Sequence, residues 1–274
     1  MLKVITQPSV DVISVPEFIN HPRHNIPKTD DEIVKLCAFA AKGCYDSFGE
    51  DGRSCEENQE AILEHRHGSV LEHAHISLWI EGITRGLSLE LNRHRTFNIS
   101  QRSTRYVAEE DGAIVLDPYF VKLFFKYKPN WEGSFFVGSD FATGQNLTEK
   151  MLLLDHMNTQ VRTIQSYRKQ VDVLMELNPN GLTGFDLRKW ARGKARNCLS
   201  HGVETRGTWT NNIRGWRWFI EARSTRHAEP EIRRLSAVIL EKLHGVAPLY
   251  FNDFYENFEI VDDIPEFVPK YSKV

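Results

Sequence analysis

Residues 92–106 read NRHRTFNISQRSTRY, and no other stretch of the chain concentrates so much recognition chemistry. Arg93, Arg95, Arg102 and Arg105 fall close together, with His94, Ser100, Gln101 and Ser103 between them. Guanidinium forks hold phosphates and carboxylates through paired hydrogen bonds, and short hydroxyls and amides complete such pockets. Two plainer readings stand beside an anion pocket: a solvated basic face, and a patch for single-stranded RNA. The charge balance of the chain, 34 Lys+Arg against 37 Asp+Glu, weighs against the RNA patch.

Upstream, residues 65–75 read HRHGSVLEHAH and carry His65, His67, His73 and His75. Four imidazoles in so short a span raise the question of a metal. In strand geometry only alternate residues share a face, and the HExxH pairing of ligands with a water-activating carboxylate is absent. No metal is therefore expected. Downstream, Arg196, Arg206, Arg214, Arg217, Arg223 and Arg226 are spread over helix-like segments beside Trp216 and Trp218. Burying arginine without an anion is costly, which points to a polyanionic ligand such as a nucleotide. An Arg/Glu salt-bridge lattice through Glu204, Glu221, Glu229 and Glu231 is the alternative.

The rest of the chain frames these segments. A length of 274 residues with 41% hydrophobic content suffices for one large domain with a full core. No apolar run approaches the roughly 18 residues of a membrane helix, and no secretory signal opens the chain. The four cysteines, Cys37, Cys44, Cys55 and Cys198, form neither a disulfide framework nor a zinc ribbon. A soluble, reduced, cytoplasmic protein with no membrane or nucleic-acid partner is expected.

LKVITQ near the start and residues 76–80 alternate as strands do, and Leu87–Leu91 reads as helical. TDDE at 29–32 predicts a capping box from Thr29 to Glu32, opening a helix through Ile33, Val34, Leu36, Cys37, Ala40, Ala41 and Cys44. Residues 129–146, rich in Pro, Gly, Asn and Ser, read as a surface loop. A long amphipathic helix follows from Leu147 to Leu177, with Met151, Leu154, Val161, Ile164, Val171 and Met175 on its apolar face. Further helices are predicted at 185–198, 213–226 and 230–245, the last entered by Pro230. The expected fold is α+β: one helix-rich domain over residues 1–274 with a small central, mainly antiparallel sheet.

Arg93-His94-Arg95, seven residues and then Ser103 is the RHR-x7-S signature of the flavin-dependent thymidylate synthases, the ThyX family. HGSVLEHA at 67–74 resembles the upstream H-x-[ST]-x-x-E-H segment of that family. ARNCLSHGVETR and the run from Asn212 to Arg233 resemble its C-terminal half. The motifs follow the family's order over about residues 65–255.

The resemblance implies a homotetramer with active sites shared between subunits, binding FAD and dUMP and using NADPH and methylenetetrahydrofolate to make dTMP. That is an NADPH-oxidising methyltransferase of thymidylate biosynthesis. It assigns flavin contacts to Ser69, Arg93, His94, Arg95, Gln101, Asn212, Ile213 and Arg214, with Trp218 at another flavin-facing position and His67 near flavin and folate. It assigns dUMP contacts to Glu90, Leu91, Asn92 and Arg93, to Gln101, Arg102, Ser103, Thr104 and Arg105, and to Arg196. Arg223 matches the arginine that polarises the uracil ring, and is the expected catalytic residue. Ser103 lacks an adjacent base and is assigned to nucleotide binding, and Cys198 to helix packing.

The sequence departs from the family pattern at Asn98 and Ile99, where a small hydroxyl residue and an aromatic are common. Trp218 stands in place of a polar residue, and is suited either to stack on a cofactor ring or to narrow the site. Glu229-Pro230 also differs from the usual pair. Two alternatives accompany the reading: a related flavoenzyme that adds another one-carbon group to a pyrimidine nucleotide, and a non-catalytic nucleotide- or RNA-binding protein on the same fold.

Overall fold

The computed structural model describes residues 3–109, 112–127 and 147–274. The loop expected at 129–146 lies outside the described residues. The chain divides into two compact units, each drawn from three separate segments.

Unit 1 comprises Met1–Pro8, Glu81–Glu90 and Gln101–Gly207. Strand β1 (Val4–Ile5) pairs in parallel with β5 (Ile114–Val115), in the register Val4↔Ile114. The expected opening strand is therefore short. Helices α4 (Pro118–Tyr127), α5 (Leu147–Leu177) and α6 (Gly184–Ala195) complete the unit. Helix α5 has the predicted limits, but its buried face runs through Leu153, Met157, Ile164, Tyr167 and Val171. Met151, expected on that face, is 60% exposed. The apolar stripe is rotated because Leu153 and Met157 meet Leu123 and Phe124 of α4, while Tyr167 and Val171 pack with Ala191 and Ala195 of α6. Helix α6 ends three residues before the predicted 198, and Arg196–Cys198 continue as a 3-10 turn.

Unit 2 comprises Ser9–Ile80, Leu91–Ser100 and Thr208–Val274. It contains β2 (Ser9–Ser14), α1 (Glu32–Cys44), α2 (Cys55–Glu64), α7 (Ile213–Arg223), α8 (Pro230–Val246), α9 (Pro248–Phe251) and the antiparallel hairpin β7 (Phe258–Val261) with β8 (Ile264–Phe267). The predicted capping box is displaced. Asp31 caps α1, its Oδ1 accepting from Ile33 N at 2.9 Å and Val34 N at 3.0 Å. Glu32 instead accepts from Phe18 N at 2.8 Å, and Thr29 donates to Glu56. A complete capping box occurs at α2, between Ser54 and Glu57. Helix α8 has Pro230 in its first turn, where the missing N–H has no helical partner to lose. Its Ile232, Leu235, Ile239, Leu240 and Leu243 are fully buried.

Four elements pass from one unit into the other: β3 (His75–Thr84), α3 (Arg85–Leu91), β4 (Asn98–Gln101) and β6 (Glu204–Asn212). The sheet order is β2-β3-β6-β4. Helix content exceeds that of this small sheet, as the α+β expectation requires. Arg206, predicted on a helix-like segment, is on strand β6. Among the described residues, no helix is long and apolar enough to cross a membrane.

Candidate active site

In unit 2 the RHR triplet occupies two successive turns between α3 and β4, closed by His94 N→Leu91 O at 3.2 Å and Phe97 N→His94 O at 3.2 Å. The turns point Arg93 and Arg95 to solvent and drive His94 inward, where it is 4% exposed. Two side chains of β6 tie the turns down: Trp209 Nε1 donates to Asn92 Oδ1 at 3.3 Å, and Asn211 Nδ2 to Thr96 Oγ1 at 3.0 Å. His94 sits among Phe97, Trp218 and Phe219, whose ring centroids lie 4.8–5.7 Å away.

Arg223, in the last turn of α7, donates its Nε–H to His94 Nε2 at 2.8 Å. An imidazole nitrogen that accepts a hydrogen bond carries no proton, so His94 is neutral with its proton on Nδ1. Burial pushes His94 down to about 4, and the neighbouring Arg223 charge acts in the same direction. His94 Nδ1 is buried with no hydrogen-bond partner among the described residues. Trp218 meets the imidazole edge-on at 4.8 Å and is 48% exposed.

A second group in unit 2 surrounds a cavity of about 410 Å³ lined by Ala41, Tyr45, Ile62, Arg66, His67, Ser69, Val70 and Arg214, among others. Gly68 has no room for a side chain: a Cβ there would collide with the main chain of Val274 and lie 3.0 Å from Arg214 Nε. Arg214 also pairs with Glu72 at 2.5 Å. Asn212 caps α7, its Oδ1 accepting from Gly215 N at 2.8 Å, while Ile213 is fully buried. His65, His67, His73 and His75 are all exposed, and Gly68–Glu72 forms a 3-10 turn. Among the described residues, no three His, Cys, Asp or Glu side chains converge on a metal-sized site.

Unit 1 holds the remaining nucleotide candidates. Gln101 Nε2 donates to Ser88 Oγ at 2.9 Å and to Thr205 Oγ1 at 3.0 Å. Arg102 turns inward to Glu204 at 3.1 Å and to the Ala108 carbonyl at 3.2 Å. Thr104 is buried, and Ser103 caps the turn by accepting from Arg105 N at 3.3 Å. Arg105 stays exposed; its guanidinium lies against Gly193 of α6. Arg196 is exposed at the end of the same helix. Two exposed guanidiniums of this kind suit a phosphate.

The predicted residues thus separate by environment. Leu91, Thr104 and Ile213 have buried side chains. Gln101 and Arg102 brace the turn from within. Glu90 is half-buried on α3. The salt-bridge lattice is present too, though mostly with other acids than expected: Arg217 pairs with Asp253, Arg226 with Glu259 and Glu266, and Arg206 with Glu81. Sequence reasoning missed Arg192, which donates to the Tyr106 carbonyl at 2.7 Å, and the buried Glu109. Glu109 reads in the sequence as part of an ordinary acidic run, and only its burial separates it.

Residues 26–249 match the family described as thymidylate synthase complementing protein. The flavin-dependent thymidylate synthase of Mycobacterium sp. (strain JLS) is 36% identical over 250 residues, covering 89% of each chain. The chain belongs to the flavin-dependent thymidylate synthase family. That of Mycobacterium tuberculosis (strain ATCC 25618 / H37Rv) is 32% identical over the same span, again covering 89% of each chain. Solved structures share the fold. The UMP/dUMP methylase PolB from Streptomyces cacaoi, bound with 5-Br UMP, gives a TM-score of 0.64 at 17% identity, over 93% of this chain and 97% of its own. ThyX from Helicobacter pylori with FAD and dUMP gives 0.54 at 19%, over 90% and 98%. The α+β, ThyX-like fold expected from the RHR-x7-S signature is the fold that this flavin-dependent thymidylate synthase family member has.

Proposed function

We propose that this chain makes dTMP from dUMP, with methylenetetrahydrofolate as one-carbon donor, FAD as bound cofactor and NADPH as reductant. The proposal includes one catalytic domain over residues 1–274, a homotetramer with active sites shared between subunits, and a cytoplasmic location. The observation that carries it is the Arg223 guanidinium hydrogen-bonded to a neutral, buried His94.

Forming a carbon–carbon bond at C5 of uracil needs electron density there, and negative charge develops along the N3–C2–O2 edge. A fixed cation against that edge stabilises the charge without reorganising during reaction. Arg223 suits this role because guanidinium keeps its proton. Arg105 and Arg196 suit the nucleotide phosphate, with Glu90, Leu91, Asn92, Arg93 and the 101–105 turn completing recognition. Leu91 and Thr104, being buried, would contribute main-chain groups.

The chain's residues fit a flavin dinucleotide. The orphaned Nδ1–H of His94 suits a group that brings its own acceptor. The close backbone at Gly68, the Ser69 hydroxyl and the Arg214 guanidinium form a cradle of donors suited to a pyrophosphate. Ser69, Arg93, His94, Arg95, Gln101, Asn212, Ile213, Arg214 and Trp218 would hold FAD, with His67 alongside. Bound there, FAD supplies the reducing equivalents, while the protein supplies position and electrostatics.

The test is the anaerobic visible spectrum of the purified chain before and after NADPH, with and without dUMP, followed by the mass of the nucleotide product. A flavin spectrum bleached by NADPH, perturbed by dUMP, and a product heavier by one CH₂ support the proposal. A product carrying a different one-carbon group would select the related flavoenzyme. A colourless chain that refuses added FAD, or one that binds single-stranded RNA with steep salt dependence and turns nothing over, would favour the non-catalytic reading.

A further inference from the structure

We propose that Glu109 and Arg85 are positioning residues for the nucleotide-binding turn 101–105, and that Arg102 belongs to the same clasp instead of touching the nucleotide; this rests on the reading that the chain binds dUMP. All three residues lie in unit 1. Glu109 is fully buried, with Arg102 at 3.2 Å on one carboxylate oxygen and Arg85 at 3.8 Å on the other. Arg102 is simultaneously paired with Glu204 at 3.1 Å, whose other oxygen accepts from Gly82 N at 3.3 Å. Two carboxylates and two guanidiniums leave the group electrically neutral, so each charge depends on the others once removed from water.

The connectivity gives this group a purpose beyond stability. Arg85 donates to the main-chain carbonyl of Arg102 at 3.2 Å, and Arg102 N donates to Arg206 O at 2.9 Å. The Arg102 side chain reaches forward to the Ala108 carbonyl and the Glu109 carboxylate. Residues 102 to 109 are thereby closed into a loop held at both ends by one guanidinium. Ser103 and Arg105 ride on that loop, and Arg105 alone among its arginines faces solvent. For Arg102 to reach a nucleotide it would have to leave two carboxylates and a carbonyl. Releasing Glu109 would instead let the whole turn shift, and small displacements of a binding group weaken recognition strongly.

The experiment compares the wild-type chain with Glu109→Gln, Arg102→Met, the double variant and Arg85→Lys. It follows flavin content, thermal unfolding, and kcat and KM for dUMP. Glu109→Gln keeps shape but removes the charge; we expect KM for dUMP to rise about tenfold, kcat to stay within about threefold, and flavin content to hold. The double variant is expected to raise KM no further than Arg102→Met alone, because residues acting as one unit are not additive. Arg85→Lys, which keeps charge but loses the fork, is expected to shift KM in the same direction by less, and it carries the test if Glu109→Gln fails to fold. A large KM effect in Arg102→Met with none in Glu109→Gln or Arg85→Lys would make Arg102 a direct ligand and overturn the proposal. Parallel losses of kcat, flavin and dUMP affinity would show general structural damage and overturn it as well. A wild-type chain that binds flavin but no dUMP would overturn the underlying reading, and this proposal with it.

Discussion

Arg223 Nε donates to His94 Nε2 across 2.8 Å, so one bond sets the tautomer of the histidine and takes part in orienting the arginine. The histidine is the middle member of the RHR triplet, the arginine closes α7, and the two are separated by 129 positions in sequence. Neither motif alone reveals the pairing. Its consequence is a cation whose direction is fixed before any ligand arrives.

Replacing that cation should therefore affect turnover more than binding of the cofactor. Arg223→Ala is expected to lower kcat by on the order of a hundredfold or more, the usual effect of deleting one preorganised electrostatic group. Arg223→Lys should recover part of the loss. Stopped-flow turnover together with flavin content checks this, and a colourless Arg223→Ala protein would show that the residue serves the cofactor instead.

His94 makes stability depend on pH in a defined direction. Its pKa is pushed from 6.5 down to about 4 by burial and then by the Arg223 charge. Between those values the unfolded chain takes up a proton that the folded chain refuses, so stability falls as pH drops from about 6.5 towards 4 and is unaffected by this group above. The full difference is on the order of 3 kcal/mol. Urea midpoints measured from pH 4 to 8 should show a shallower acid-side decline in His94→Gln, which keeps an acceptor for Arg223 but does not titrate. Parallel curves for the two proteins would contradict the assignment.

Deep in unit 2, Arg217 and Asp253 form a two-pronged ion pair at 2.7 and 2.9 Å, and Arg217 also donates to the carbonyls of Tyr250 and Tyr271. Arg217→Met leaves Asp253 charged and buried, which costs about 3–5 kcal/mol. Arg217→Met with Asp253→Leu should cost less than the single change. Denaturant titration with an unchanged slope is the measurement, and an additive double variant would sink the idea.

Gly215 tests how the N-terminal end of α7, where the proposed flavin contacts Asn212, Ile213 and Arg214 lie, is seated. A Cβ there would fall inside the van der Waals envelope of Asn211, whose amide holds Thr96 of the RHR turns. Gly215→Ala is expected to destabilise by about 1–3 kcal/mol through overpacking, and to loosen FAD at the same time. Asn211→Ala in the same background should recover stability without restoring FAD affinity, since the tether to Thr96 is still lost. Thermal unfolding and flavin titration separate the two effects.

Much of this architecture is legible in the sequence where burial and hydrophobicity coincide. Helix α5 begins and ends where its periodicity says, because NPNG stops it and Asn178 and Gly181 take positive φ there. Strand β6 escaped notice because its inward positions include Thr205, Gly207 and Asn211, which carry no hydrophobic signal. The α1 cap moved from Thr29 to Asp31 because both satisfy the same local rule, and Glu56 claims the threonine. For the site, the signature located the arginines but not their directions. Arg102 and Arg105 look alike in QRSTRY, and the carboxylates of Glu109 and Glu204, placed only by the fold, decide that one turns inward and the other outward.

The way the chain is shared between its two units governs how the gene can be cut. The polypeptide changes unit after Pro8, Ile80, Glu90, Ser100 and Gly207, and three of its strands continue through those crossings. Neither unit is one contiguous segment, and any fragment long enough to hold all of one unit also carries segments of the other. A cut after Pro8 or Gly207 leaves one unit whole in the longer fragment, but still joined to segments of the other, so no single break separates the two units and dissection by truncation has no natural seam to exploit.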